Sequence, residues 1–254
     1  GHMAVGVVAS MGTSPPVLSE FVDYVERTEK IGRVVVLSTK EKMVRDSTAV
    51  AVAAVSDRFP HIRVEVVEMP LADISSEDEN YVFMEFAAKA VADVRRKADR
   101  LYLCLAGGRK EMVASMMLMA QLANVDAAYH VVSADVKAFN AALERIRKNI
   151  EDLAGSPSPN DYYKQHRDIF EPVMYPPPSS YRVVTVPIIP YPPETIRALK
   201  ALLSSQQGPR KTTVFSEEFL KRLADTGFVS LTKDKIIVTD LGRRFYETVL
   251  KHLA

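Results

Sequence analysis

The chain has 254 residues, 47% hydrophobic and 26% charged, with 33 basic against 32 acidic side chains. A net charge of +1 argues against bulk electrostatic capture of nucleic acid, and a lone cysteine, Cys104, excludes an internal disulfide framework and a multi-cysteine zinc site. No apolar run approaches the roughly 20 residues a bilayer demands, so the expectation is a soluble, cytoplasmic protein with no membrane partner.

In chain order, Gly1-His2-Met3 reads as an expression remnant. Residues 4–10 form a continuous apolar run, followed by a turn and a helical pattern from Pro16 to about Thr28. Strand-like runs recur at 33–38, 62–68, 100–105 and 127–132, and helical patterns fill 41–58, 77–97, 109–124 and 135–154. Ser76 stands where a cap for the third helix belongs. Fully apolar strands alternating with helices predict a parallel sheet covered on both faces, an α/β Rossmann-like doubly wound core over 4–154. Residues 155–193 are rich in Pro and Tyr and carry a β-rich run at 181–187, expected to be an edge strand of an appendage packed on the core. Val183, Val184, Val186, Ile188 and Ile189 in that stretch are expected to be buried. Residues 194–254 predict helix, helix, hairpin, helix, a small winged-helix-like domain, with Gly227 closing the second helix.

Two strand-to-helix turns carry most of the chemistry. Gly12-Thr13-Ser14-Pro15 combines a glycine that permits close backbone approach, two hydroxyls and a proline suited to a helix start, where free N–H groups and the dipole favour an anion. An ordinary Ser/Thr cap would use the same residues. Gly107-Gly108-Arg109-Lys110 sets two cations at a helix start, against the dipole, which suits an anionic ligand there, although solvated loop charges also fit. A third turn, Ser38-Thr39-Lys40, ends the second strand at the same sheet edge, and Arg45 and Asp46 beyond it read as surface pairs. The Met112, Met116, Met117 and Met119 stripe reads as core packing. Neither the phosphate-binding G-x-x-x-x-G-K-[ST] spacing nor G-x-G-x-x-G occurs, which removes most support from kinase and dehydrogenase readings. The histidines are dispersed, so no metal site is expected, and no cofactor.

The G-T-S-P and G-G-R-K turns, with Met two positions after the latter, and the run YRVVTVPIIPYPP at 181–193 resemble the CRISPR-associated Rossmann fold (CARF) family over residues 4 to 193. The resemblance implies a homodimer that binds a cyclic oligoadenylate across its two-fold axis, with cyclic tetra-adenylate favoured as the partner. It implies ring-nuclease roles for Ser14 and Lys110 as catalytic residues. Ligand binding would fall to Gly12, Thr13, Gly107, Gly108 and Arg109, joined by Ser38, Thr39 and Lys40 from the third turn. The chain lacks the R-x-x-x-x-H arrangement of a fused ribonuclease. The alternative implied by the tail is a ligand-responsive regulator that binds DNA through Arg210, Lys211, Lys221, Arg222, Lys233, Lys235, Arg243 and Arg244. Glu217, Glu218 and Asp225 on the helix that would enter the groove argue against that reading.

Overall fold

A computed structural model of the protein describes residues 4–253. Strand β1 (Val5–Ser10) leads to α1 (Pro16–Glu26), β2 (Ile31–Ser38) to α2 (Lys42–Arg58), and β3 (Arg63–Glu68) to α3 (Glu77–Lys97). Then come β4 (Arg100–Cys104), α4 (Lys110–Leu122), β5 (Ala127–Ser133), α5 (Val136–Arg145), α6 (Arg147–Ala154), α7 (Pro159–Gln165), α8 (Arg167–Met174) and β6 (Tyr181–Val186). These six strands form one sheet in the order β3-β2-β1-β4-β5-β6, parallel throughout except for β6, which runs antiparallel beside β5. Among the described residues no helix is long and apolar enough to cross a membrane.

Strand periodicity explains the two-sided cover. Along β1, Val7 and Ala9 face one layer and Val8 the other; along β4, Tyr102 and Cys104 oppose Leu101 and Leu103. One layer is built from α1, α2 and α6–α8, with Phe21, Val50, Tyr163 and Phe170 fully buried. The other is built from α3 and α4 and continues without a break into the C-terminal segment through Leu199, Leu203, Leu220 and Phe245. Cys104 is wholly buried, and burial raises its thiol pKa far above the usual range, so it is an inert core group.

Three readings need correction. The helix expected over 135–154 is broken at Ile146, whose φ of −106° and ψ of 11° leave the helical region, giving α5 and α6. The Pro- and Tyr-rich stretch contains two helices, α7 and α8, which supply Tyr163, Phe170 and Met174 to the core; they are only 7 and 8 residues long, and Pro172 lies inside α8, so periodicity is too short to reveal them. Burial of the apolar run around β6 is also overturned in part: Val184 is 45% exposed because an edge strand packs one face and leaves alternate side chains open, and Ile189, past the end of β6, is 82% exposed.

Past β6 the chain forms α9 (Pro193–Ser204), β7 (Gln207–Pro209), α10 (Glu217–Asp225), β8 (Val229–Leu231), β9 (Lys235–Val238) and α11 (Asp240–Thr248). The hairpin pairs β8 with β9, and the short β7, absent from the expected pattern, adds to the other side of β9. Thr239 caps α11 and Ser216 caps α10, while Gly227, at φ 88°, takes the left-handed turn after α10. This segment is anchored to α3: Arg244 pairs with Asp78 at 2.6 Å and lies 4.4 Å above the Tyr81 ring.

Candidate functional site

Strand order reverses between β1 and β4: the chain steps outward from β1 through β2 to β3, then returns to β4 on the other side of β1. In an open α/β sheet the crevice at the carboxyl ends of such a pair is the natural ligand position. The two turns singled out above, 12–15 and 107–110, flank that point.

The turns are in backbone contact. A Cβ on Gly12 would stand 2.6 Å from the Gly108 nitrogen, and one on Gly107 would stand 2.8 Å from the Gly12 nitrogen. Only glycine fits at either place, and the first need these two residues meet is the approach of one turn to the other. The Ser10 hydroxyl donates to the Gly107 carbonyl at 2.9 Å and ties β1 to the second turn. Gly108 has a φ of +103°, a conformation that side chains rarely adopt. It turns the chain into α4 over the Met112 side chain.

An open cleft of about 520 Å³ lies beside this contact. Gly12, Thr13, Thr39, Gly108 and Arg109 line it, so five of the expected ligand-binding residues share one space. Its floor and walls add Met11, Met43, Val44 and Met112, and its acidic groups are Glu41 and Asp73. The Arg109 guanidinium pairs with Asp73 at 2.9 Å across the rim.

Of the remaining expected residues, Ser38, Lys40, Ser14 and Lys110 lie outside this lining, and the Thr39 hydroxyl is turned to the chain itself. Ser38 is 2% exposed and its hydroxyl is 2.8 Å from that of Thr48, directed into the packed interior. The Thr39 hydroxyl, also buried, accepts from the Glu41 amide at 3.3 Å. Lys40 is exposed, its amide bonded to the Leu71 carbonyl. Ser14 is half-buried two residues before α1, and Lys110 is exposed as the first residue of α4. Arg45 and Asp46 form surface pairs, with Glu68 and Lys42 respectively.

Helix ends separate these turns from the turns before α2, α3 and α5. Glu41 caps α2 by accepting from the Met43 and Val44 amides; Ser76 caps α3 and Asp135 caps α5. The starts of α1 and α4 receive no side-chain cap. Pro15 and Pro16 carry no N–H and the Val17 amide bonds the Ser14 carbonyl, whereas at α4 the Met112 amide bonds the Arg109 carbonyl and the Lys110 and Glu111 amides have no partner among the described residues. An anion at the α4 start also gains from the helix dipole. Among the described residues no cluster of three or more His, Cys, Asp or Glu side chains is placed to share a metal ion.

Sequence reasoning missed Glu41, Asp73 and the apolar floor. A carboxylate just ahead of a helix was a usable signal for Glu41 as a cap. Nothing local marks Asp73, which reaches the cleft only because β3 lies two strands from β1.

In the C-terminal segment half of the eight cations considered for DNA are engaged by carboxylates: Arg210 with Glu217, Lys211 with Asp234, Arg222 with Glu218 and Arg244 with Asp78. Arg243 bonds the Ser205 carbonyl. This distribution weighs against a free cationic face.

A family model described as CRISPR-associated protein NE0113 matches residues 14–219. The CRISPR system ring nuclease SSO2081 of Saccharolobus solfataricus is 28% identical over 149 residues, covering 57% of this chain and 79% of that protein. Among solved structures, Enterococcus italicus Csm6 bound to cyclic hexa-2'-fluoro-hexa-dAMP is similar at a TM-score of 0.47 and 15% identity, covering 80% of this chain and 47% of that one. The protein VC1899 from Vibrio cholerae gives 0.38 and 9%, covering 98% and 66%. Can2 from Sulfobacillus thermosulfidooxidans, in complex with cyclic tetra-adenylate, gives 0.34 and 10%, covering 95% and 63%. The chain therefore spans between about half and two thirds of the length of these three, and the likenesses are loose ones of arrangement.

Proposed function

The chain belongs to the CRISPR-associated protein NE0113 family, and from that footing we propose that it is a ring nuclease that binds a cyclic oligoadenylate, cyclic tetra-adenylate by preference, at the crevice between the β1 and β4 turns. One observation carries the reading: two turns in backbone contact at the strand-order reversal, the second opening α4 with the Lys110 and Glu111 amides unpartnered among the described residues. The 28% identity to a named ring nuclease supports it.

A ring of four phosphates with a two-fold axis calls for two copies of the site. The surface of α4 supports a homodimer. From Met112 to Leu122 the helix carries no charge, and its outer side presents Val113, Ala114, Met117 and Leu118. Next to it the same face of β5 and β6 leaves His130, Val132, Arg182 and Val184 open. A helix that is apolar all round belongs between two layers, and here only one is supplied by the chain itself. A two-fold axis running along the strands would place both 105–110 turns at one end of the pair, with the ring between them.

Within that arrangement the chemistry needs little from the protein beyond position. A ribose 2′-hydroxyl attacks its neighbouring phosphorus; the P–O5′ bond breaks, and the products are a 2′,3′-cyclic phosphate and a free 5′-hydroxyl, the proton leaving O2′ being balanced by one gained at O5′. Ser14 holds the 2′-hydroxyl in line, and Lys110 stabilises the charge that builds on the phosphorane oxygens. Thr13, Gly108 and Arg109 grip the ring, with Arg109 exchanging Asp73 for a phosphate.

The test is incubation of the purified protein, in excess and with EDTA, with labelled cyclic tetra-adenylate. A linear product carrying a 2′,3′-cyclic phosphate is the expected result. An intact ring after several hours overturns the enzymatic reading.

A further inference from the structure

A second hollow lies on the other side of α1. It is lined by Glu20, Ser133, Ala134, Asp135, Ala138, Phe139, Ala142, Pro172, Val173, Pro176 and Ser180, between α1, α5, α8 and the turn after β5, and it measures about 220 Å³. Its mouth is open, since Ala134, Ala138 and Pro172 are exposed. Glu20 is only 4% exposed. Among the described residues no hydrogen-bond donor and no cation serves its carboxyl, and burial alone pushes its pKa up to about 8.

Buried carboxylates are ordinarily paired. Among the described residues this one has no partner, and it lines a hollow with a second carboxylate, Asp135, and with no Lys, Arg or His. The remaining wall is mostly apolar and includes an aromatic ring, Phe139. The space exceeds the roughly 150 Å³ of a cavity that accepts benzene. An acidic floor, hydrocarbon walls and an aromatic side chain match one ligand class: a small organic cation with an apolar body. Hydrated metal ions suit such walls poorly, because they keep oxygen ligands on all sides.

We propose that the Glu20 hollow is a binding site for a small primary amine, held as an ion pair with the Glu20 carboxylate and separate from the crevice between the β1 and β4 turns. An ammonium group supplies the counter-charge that lets the buried Glu20 carboxyl release its proton to solvent, so one proton leaves as each cation binds at pH 7, and the organic body replaces water against Phe139 and Val173.

Benzylamine and benzyl alcohol, matched in shape and differing in charge, are the probes for calorimetric titration of the intact protein at pH 7. Benzylamine binds saturably at one site per chain, and benzyl alcohol at least tenfold more weakly. Glu20→Gln lowers benzylamine affinity at least tenfold, and Ala138→Trp, which blocks the mouth without altering the carboxyl, does the same. Equal binding of amine and alcohol, unchanged affinity in either variant, or displacement of benzylamine by millimolar magnesium chloride overturns the proposal.

Discussion

Three turns meet at one rim of the sheet, and they divide into two kinds. The turn after β2 is satisfied by its own residues: the Ser38 hydroxyl is bound to Thr48, Thr39 supports Glu41, and the Glu41 carboxylate closes the start of α2. The turns after β1 and β4 spend their special residues on each other through Gly12, Gly107 and Gly108, and leave two helix starts without a cap. On the proposed reading, the same strand-turn-helix unit serves as scaffold in one place and as an anion receptor in the other. What distinguishes them is whether the chain provides the negative charge.

The contrast breaks most completely at Gly12. Gly12→Ala drives a methyl group against the backbone of the second turn, where nothing flexible can yield. Ring affinity is expected to fall by about a hundredfold, roughly 3 kcal/mol, in titration with cyclic tetra-adenylate. Unchanged affinity would mean that the paired turns are architecture only. Lys110→Ala comes next. Single-turnover cleavage is expected to slow by about 10²-fold, the scale of one lost charge-stabilising donor, while affinity falls by less than about tenfold. Equal losses in rate and affinity would make Lys110 a binding residue. The smallest effect belongs to the closed turn: Ser38→Ala removes the buried hydroxyl pair with Thr48 and is expected to cost about 1 kcal/mol of stability, read as a lower denaturant midpoint, with cleavage nearly unchanged. A large loss of cleavage in that variant would erase the distinction between the two kinds of turn.

Much of this was legible in the residues. Apolar runs alternating with amphipathic segments were enough to place the five parallel strands and the helices between them, and Ser76 marked the start of α3 by its chemistry. The two glycine-bearing turns were visible as candidate anion sites because β1 and β4 end in them. Their mutual contact was not, since a glycine announces room for an approach without naming what approaches. Ser38 misled for a related reason: a hydroxyl at a strand end looks free until the Thr48 side chain, one helix away, is brought against it. The break at Ile146 and the short α7 and α8 escaped because each is set by packing against α2, with too few residues for a periodic pattern.

The hydrogen bond from Ser10 to the Gly107 carbonyl has a mechanical consequence. Two segments nearly a hundred positions apart are stitched along a common seam, so neither can swing aside alone to admit a guest. A receptor built this way surrenders little conformational entropy on capture, and its grip is paid for during folding. On the proposed reading such a vessel suits scarce cargo held for long intervals better than rapid repeated traffic.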